Sequence, residues 1–179
     1  MKAIVLATSL ALTGCSASLQ DYDATSPKFD LQSYFTGDVT AWGMIQDYSG
    51  EMTRRFCVDI VGTWQDNKGR LHETFYYDDG EQQIRIWELE TQQDGTVTGS
   101  AGDVNGMASG AQNGSSFYWK YSLQVPIGDS VYNFTIDDWM YMMDENRVMN
   151  RSDMSKFGVG LAEITIFFDK TPPVRRCNT

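Results

Sequence analysis

Few groups in this chain could do chemistry. His72 is the single histidine, in Leu71-His72-Glu73-Thr74, and on a strand its neighbours turn to the opposite face. His72 and Glu73 therefore cannot act as an acid–base dyad without a bulge. One imidazole also rules out multi-histidine metal sites, and no cysteine cluster supplies the missing ligands. No Gly-x-Ser-x-Gly elbow presents a serine nucleophile. Acidic pairs stand at Asp78-Asp79, Asp137-Asp138 and Asp144-Glu145. The first and third lie in turns, where aspartate bonds nearby backbone, and none has calcium-loop spacing. Asp137-Asp138 differs, because an apolar run and Trp139 surround it. If a strand continues through the pair, one carboxylate points inward and needs a partner of opposite sign, for which Arg85 beside Trp87 is the candidate. If the strand has ended, both are hydrated.

The groups left for an inward polar cluster are Arg85, Glu73, Asp103 and Asp137 or Asp138. No two stand at a demonstrable catalytic spacing, so an enzyme is the least supported reading, and no cofactor is implied. Aromatic content says more: Trp42, Trp64, Trp87, Trp119 and Trp139 fall on five different expected strands. Most belong to a core, yet a small barrel with such a lining is also a pocket for an apolar ligand. Trp87 and Trp119, both mid-strand, are the expected lining. The net charge of −10 repels phosphate backbones, and Arg54-Arg55 and Arg175-Arg176 make no stripe that could follow one. Nucleic acid is excluded as a partner.

The amino terminus carries the sharpest pattern. Met1-Lys2 and the apolar run Ala3 to Leu12, too short for a permanent membrane span, read as a signal peptide over residues 1–14. Leu12-Thr13-Gly14-Cys15 resembles a bacterial lipobox, in which the cysteine is acylated and becomes the first residue. Acyl chains on Cys15 would anchor the protein without any transmembrane helix, and Ser16 in place of aspartate implies sorting to the outer membrane, facing the periplasm. Residues 15–28 are polar and aperiodic, as in a tether. In that setting the sequons at Asn113, Asn133 and Asn150 are coincidences. An oxidising periplasm permits a Cys57–Cys177 disulfide pinning the tail 171–179 to an early strand; two unrelated thiols are the alternative.

Positioning falls to strands. Turn signals recur at Ser49-Gly50, Asp66-Asn67, Asp79-Gly80, Asp94-Gly95, Gly128-Asp129 and Asp144-Glu145-Asn146. Between them the runs alternate, as in Phe56, Val58 and Ile60 against Arg55, Cys57 and Asp59, or Phe117, Trp119 and Tyr121 against Ser116, Tyr118 and Lys120. Further strands are expected near residues 39–46, 70–78, 82–91, 97–103, 130–141, 147–150 and 158–169. Residues 29–170 thus form an all-β domain of about eight to ten antiparallel strands in meander order. Closure into an up-and-down barrel removes the exposed edges, with a two-sheet sandwich as the alternative. The glycine-rich stretch Gly99 to Gly114 departs from the pattern and suggests bulges, bends or close approach of another backbone. It is not a phosphate loop, since no Lys-Ser/Thr pair or helix follows it.

Ala41-Trp42-Gly43-Met44-Ile45-Gln46-Asp47, Arg54-Arg55-Phe56, Asp103-Val104-Asn105-Gly106, Asp137-Asp138-Trp139-Met140 and Asn150-Arg151-Ser152-Asp153-Met154-Ser155-Lys156-Phe157-Gly158 resemble the motifs of a proteobacterial lipoprotein family known as domain of unknown function 3833. The resemblance spans nearly all of the mature chain and implies a lipocalin-like barrel, with ligand binding by analogy. The expected function is binding of a small apolar or amphipathic ligand such as a lipid, with Arg85, Trp87, Asp103, Trp119, Asp137, Asp138 and Trp139 as candidate contacts. An envelope interaction protein using its acidic surface is the alternative. Labelled palmitate supplied to Gram-negative cells is expected to enter the protein and Cys15→Ala to abolish the label; continued labelling of that variant rules the site out.

Overall fold

The computed structural model describes residues 17–177, so Cys15 and the signal-like run lie outside the described residues. Ten strands follow one another: β1 (Gly37–Asp47), β2 (Met52–Gln65), β3 (Lys68–Tyr77), β4 (Gln82–Thr91), β5 (Thr96–Ser100), β6 (Ala108–Asn113), β7 (Ser116–Ile127), β8 (Ser130–Met142), β9 (Arg147–Lys156) and β10 (Val159–Asp169). All are antiparallel to their sequence neighbours, and β1 also pairs with β10 from Thr40↔Asp169 to Asp47↔Ala162. The ring is closed, which excludes the sandwich. Alternation along each strand sends one set of side chains into the lumen, among them Val58 and Ile60 of β2, Trp87 and Leu89 of β4, and Phe117 and Trp119 of β7.

The glycine-rich stretch holds the end of β5, a loop and the whole of β6, a strand that composition concealed. A Cβ at Gly110 would strike Tyr118 O and the Trp119 ring, and one at Gly99 would strike Leu89 and crowd the same ring. These glycines leave room for a large side chain at close quarters, in keeping with the close-approach reading. The strand expected over 97–103 stops at Ser100. From there residues 101–107 cross the upper wall between β4 and β7, held by the Val104↔Leu123 bridge and by Gln124 N–H donating to Asp103 O at 2.8 Å.

One end of the barrel is floored. The one-turn helix α1 (Leu31–Tyr34) is capped by Asp30, whose Oδ1 accepts from Ser33 N–H at 2.6 Å. Phe29, Leu31, Tyr34 and Phe35 are all buried there. Each such burial is worth about 1.5–3 kcal/mol, which holds a helix too short to persist alone. Trp64 Nε1 and Lys170 Nζ donate to Phe35 O and Tyr34 O, and Tyr34 Oη donates to Asn146 O.

The stretch expected to be a tether is instead laid against the barrel from Ser18 onward. A 3-10 turn at Leu19–Tyr22 is closed by a Ser18–Asp21 capping box. Asn113 Nδ2 donates to Leu19 O at 2.9 Å, Ser115 N–H to Thr25 Oγ1 at 2.8 Å and Phe29 N–H to Gly114 O at 2.7 Å. Gly114 (φ +51°) is required by this contact, since a Cβ would run into Tyr22 O. The aperiodic sequence hid the docking, because it runs through backbone and capping groups and not through an apolar stripe.

At the other terminus the tail crosses the outer face of β1 and β2. Cys177 is bridged to Cys57, Cα–Cα 5.7 Å, and its N–H donates to Asp59 Oδ1 at 3.1 Å. All ten strands, the floor and this bridge lie within residues 17–177, which therefore hold a complete core of their own. The bridge spans 120 residues, and closing so long a loop constrains the unfolded chain by several kcal/mol. Reduction is expected to cost about 2–5 kcal/mol of stability, read as a lower urea midpoint with dithiothreitol. An unchanged midpoint, or an equal effect of dithiothreitol on Cys57→Ser, would remove that role.

Candidate functional site

Above the floor the barrel encloses a cavity of about 470 Å³ that reaches the opposite end. Its wall is mostly aromatic and aliphatic. Trp87 meets Trp119 edge to face at 5.6 Å and Tyr121 at 5.4 Å, and Phe56, Phe75, Leu71, Ile164 and Ile166 complete the apolar surface. The mouth is ringed by the β1–β2, β3–β4, β7–β8 and β9–β10 turns. Arg54 stands there with its guanidinium carbon 3.5 Å from the Tyr77 ring centre and paired to Asp79 and Glu81. On the β7–β8 and β9–β10 side the rim is apolar, with Ile127, Val131, Val159 and the 95% exposed Phe157.

A polar layer interrupts the apolar wall. Glu73 on β3 and Arg85 on β4 are direct cross-strand neighbours. Arg85 does not pair with Asp137 or Asp138, as expected from the sequence, but with Asp103. Its Nε donates to both Asp103 oxygens at 3.1 and 2.9 Å, and its Nη2 to Oδ2 at 2.7 Å. The reason is the loop after β5, which leaves the sheet and swings Asp103 over the wall. This charge-assisted fork fastens the loop to β4. Burial opposes the Arg85 charge, but Glu73, Tyr121 and Asp103 more than offset it and raise its pKa.

Asp138 is the inward member of its pair and is 6% exposed. Asn150 Nδ2 donates to it and to Trp139 O, and Ser152 bonds it in turn. Parity then sends Asp137 and Trp139 to the outer face, so neither lines the cavity, contrary to expectation. Asp137 is bound there by Tyr118 Oη and by Lys120 Nζ at 2.8 Å. Trp139 is covered by Tyr118, Tyr141 and, from the docked amino-terminal segment, Tyr22. Trp42 is also on the outer face, stacked on Phe167.

Burial pushes the Glu73 carboxyl up to about 7, with Arg85 opposing and Asp103 and Asp138 adding. Asp138 is pushed up to about 7 by burial, against hydrogen bonds from Asn150 and Ser152 and the Arg85 charge. Arg54, Asn150, Ser152 and Tyr121 were not among the expected contacts. Tyr121 shares the inward set of Phe117 and Trp119 and was open to recognition. Asn150 and Ser152 sit in a polar run in which β9 continues to Lys156, past the expected end at Asn150, and polar residues at inward positions give no sequence signal. Among the described residues no group of His, Cys, Asp and Glu side chains could hold a metal ion.

A closed up-and-down barrel, floored at one end with a ligand-sized cavity open at the other, is a lipocalin-like architecture. The chain belongs to the family described as "Protein of unknown function (DUF3833)", which matches residues 9–170. No curated protein matches it in sequence. Among solved structures it is similar to the S-type phycobiliprotein lyase of Guillardia theta, with a TM-score of 0.56 and 10% identity over 75% of this chain and 86% of that one. At that identity the likeness is one of fold.

The raised carboxyls have a measurable consequence. The folded protein holds these protons more tightly than the unfolded chain, so their contribution is fully present at low pH and is lost as pH rises from the ordinary carboxylate range through about 7. Glu73→Gln removes one such group. The variant is expected to be more stable than wild type by about 1–3 kcal/mol at about pH 8 and to converge with it below about pH 4. Denaturant unfolding across that range checks this; a pH-independent difference would contradict it.

Proposed function

We propose that this protein is an outer-membrane lipoprotein, anchored through acyl chains on Cys15 and facing the periplasm, whose barrel holds a small apolar or amphipathic ligand such as a lipid. The observation that carries the ligand reading is the 470 Å³ cavity, open at one end and walled by Trp87, Trp119 and their aliphatic neighbours. A barrel built for stability alone would fill this space with its own side chains. The anchor reading rests on Leu12 to Cys15 after the apolar run. It takes a particular form because Ser18 already caps the docked 3-10 turn. Three residues of extended chain span about 10 Å, so an acylated Cys15 would hold the floored half of the barrel close to the bilayer.

Ligand binding is tested on the chain from Ser16 to Thr179 by native mass spectrometry of material purified from its cell envelope, and by tryptophan emission on titration with decanol. Bound mass that is lost on denaturation, and an emission shift that saturates, are expected. Met154→Trp, which narrows the cavity on its mouth side, is expected to weaken decanol binding about tenfold or more while the chain stays folded. A chain that carries nothing and shows no saturable shift sinks the reading.

A further inference from the structure

The charges facing the cavity do not balance, and the imbalance bears on what the polar end of a ligand must be. Two guanidiniums, Arg54 and Arg85, stand against four carboxyl groups, Glu73, Glu81, Asp103 and Asp138. Arg54 is paired at the mouth to Asp79 and Glu81, which leaves Arg85 against Glu73, Asp103 and Asp138 within the lumen. Asp103 occupies both Nε and Nη2 of Arg85, so the positive charge is matched within the wall and spent on holding the loop. An arriving acid would have to displace a bidentate partner already in place. Glu73 is half-buried, and among the described residues no side chain or backbone N–H donates to its carboxyl. It lines the cavity, and its oxygens keep their free surface there. An acceptor turned to a largely apolar cavity without a donor is costly unless something supplies one. Asp138, within electrostatic reach of Glu73 across the lumen, adds a second acceptor.

We infer that the barrel selects amphiphiles whose polar end donates hydrogen bonds or carries positive charge, an amine-type head received by Glu73 and Asp138, and that acid-headed lipids are refused. This rests on the ligand-binding reading. The groups facing Glu73 are Arg85 from β4, Asp103 from the loop, Tyr121 from β7 and Asp138 from β8; only Arg85 is cationic, and it is already paired. An amine head would restore neutrality, whereas a carboxylate head would bring like charges together in a low dielectric.

Three probes with the same tail separate the outcomes: decylamine, decanol and decanoate, titrated by calorimetry into the chain from Ser16 to Thr179. At about pH 8 decylamine is expected to bind about tenfold or more tighter than decanoate, with decanol between. The amine preference should narrow towards pH 6 as both carboxyls take up protons. Glu73→Gln and Asp138→Asn should each reduce the amine-to-acid ratio while leaving decanol binding in place, which also reports that the variants fold. Decanoate binding as well as decylamine, or a ratio untouched by Glu73→Gln, overturns the inference and leaves ligand binding standing. Failure of all three probes, decanol included, overturns both.

Discussion

Everything inside this molecule depends on the hydrogen-bonded seam between β1 and β10. Until that seam forms, the meander is a curled sheet with two free edges and one apolar face turned to water. Once it forms, every strand has two neighbours and the period of two becomes a rule without exceptions at the edges. Inward and outward are then fixed by position along the strand, save at the register shifts between Ile45 and Gln46 of β1 and between Gly160 and Ala162 of β10. That is why Asp138 enters the lumen while Asp137 and Trp139 cannot, and why Glu73 faces the cavity while His72 does not. The tail reinforces the same place from outside: Thr40 Oγ1 donates to Arg175 O, Arg176 pairs with Asp38, and Cys177 is bridged to Cys57.

Much of this was legible in the residues. Turn pairs such as Asp79-Gly80 and Asp94-Gly95 specify their conformation locally, and runs such as Phe117 to Val125 declare both strand and face. What could not be read came from contacts made at a distance. Gly99 and Gly110 look like breakers of structure until Trp119 is placed between them. The run Asn150 to Ser155 looks like a loop because its inward positions, Asn150 and Ser152, are polar, and they are polar because Asp138 needs donors. Arg85 could be seen to face inward. Its partner could not, because Asp103 arrives from a loop that leaves the sheet, where alternation gives no guidance.

The polar layer runs against simple stability. A buried fork such as Arg85–Asp103 must recover the desolvation of two charges through its own geometry, and a well-packed apolar pair can do as well. Here the fork fastens residues 101–107 where β5 and β6 are too short to complete the wall. Asp138 is likewise embedded with Asn150 and Ser152, donors that an apolar barrel would not need. Glu73 has no such support, and this distinguishes a group that holds the wall together from one turned towards the space it encloses.

The floor has a consequence for traffic. With α1 and its aromatic neighbours at one end, a ligand that entered by the mouth would have to leave by the mouth, as in a container and not in a conduit. Arrival and departure would then compete for a single doorway, and one molecule would have to vacate before another was seated. Residence time of such a ligand would be set by the grip of the wall and by the rim, where Phe157 and Ile127 meet solvent on one side and Arg54 stacks on Tyr77 at another. Such a vessel imposes no direction of its own. Net movement of its contents would follow only from a difference in chemical potential between the place where it is filled and the place where it is emptied.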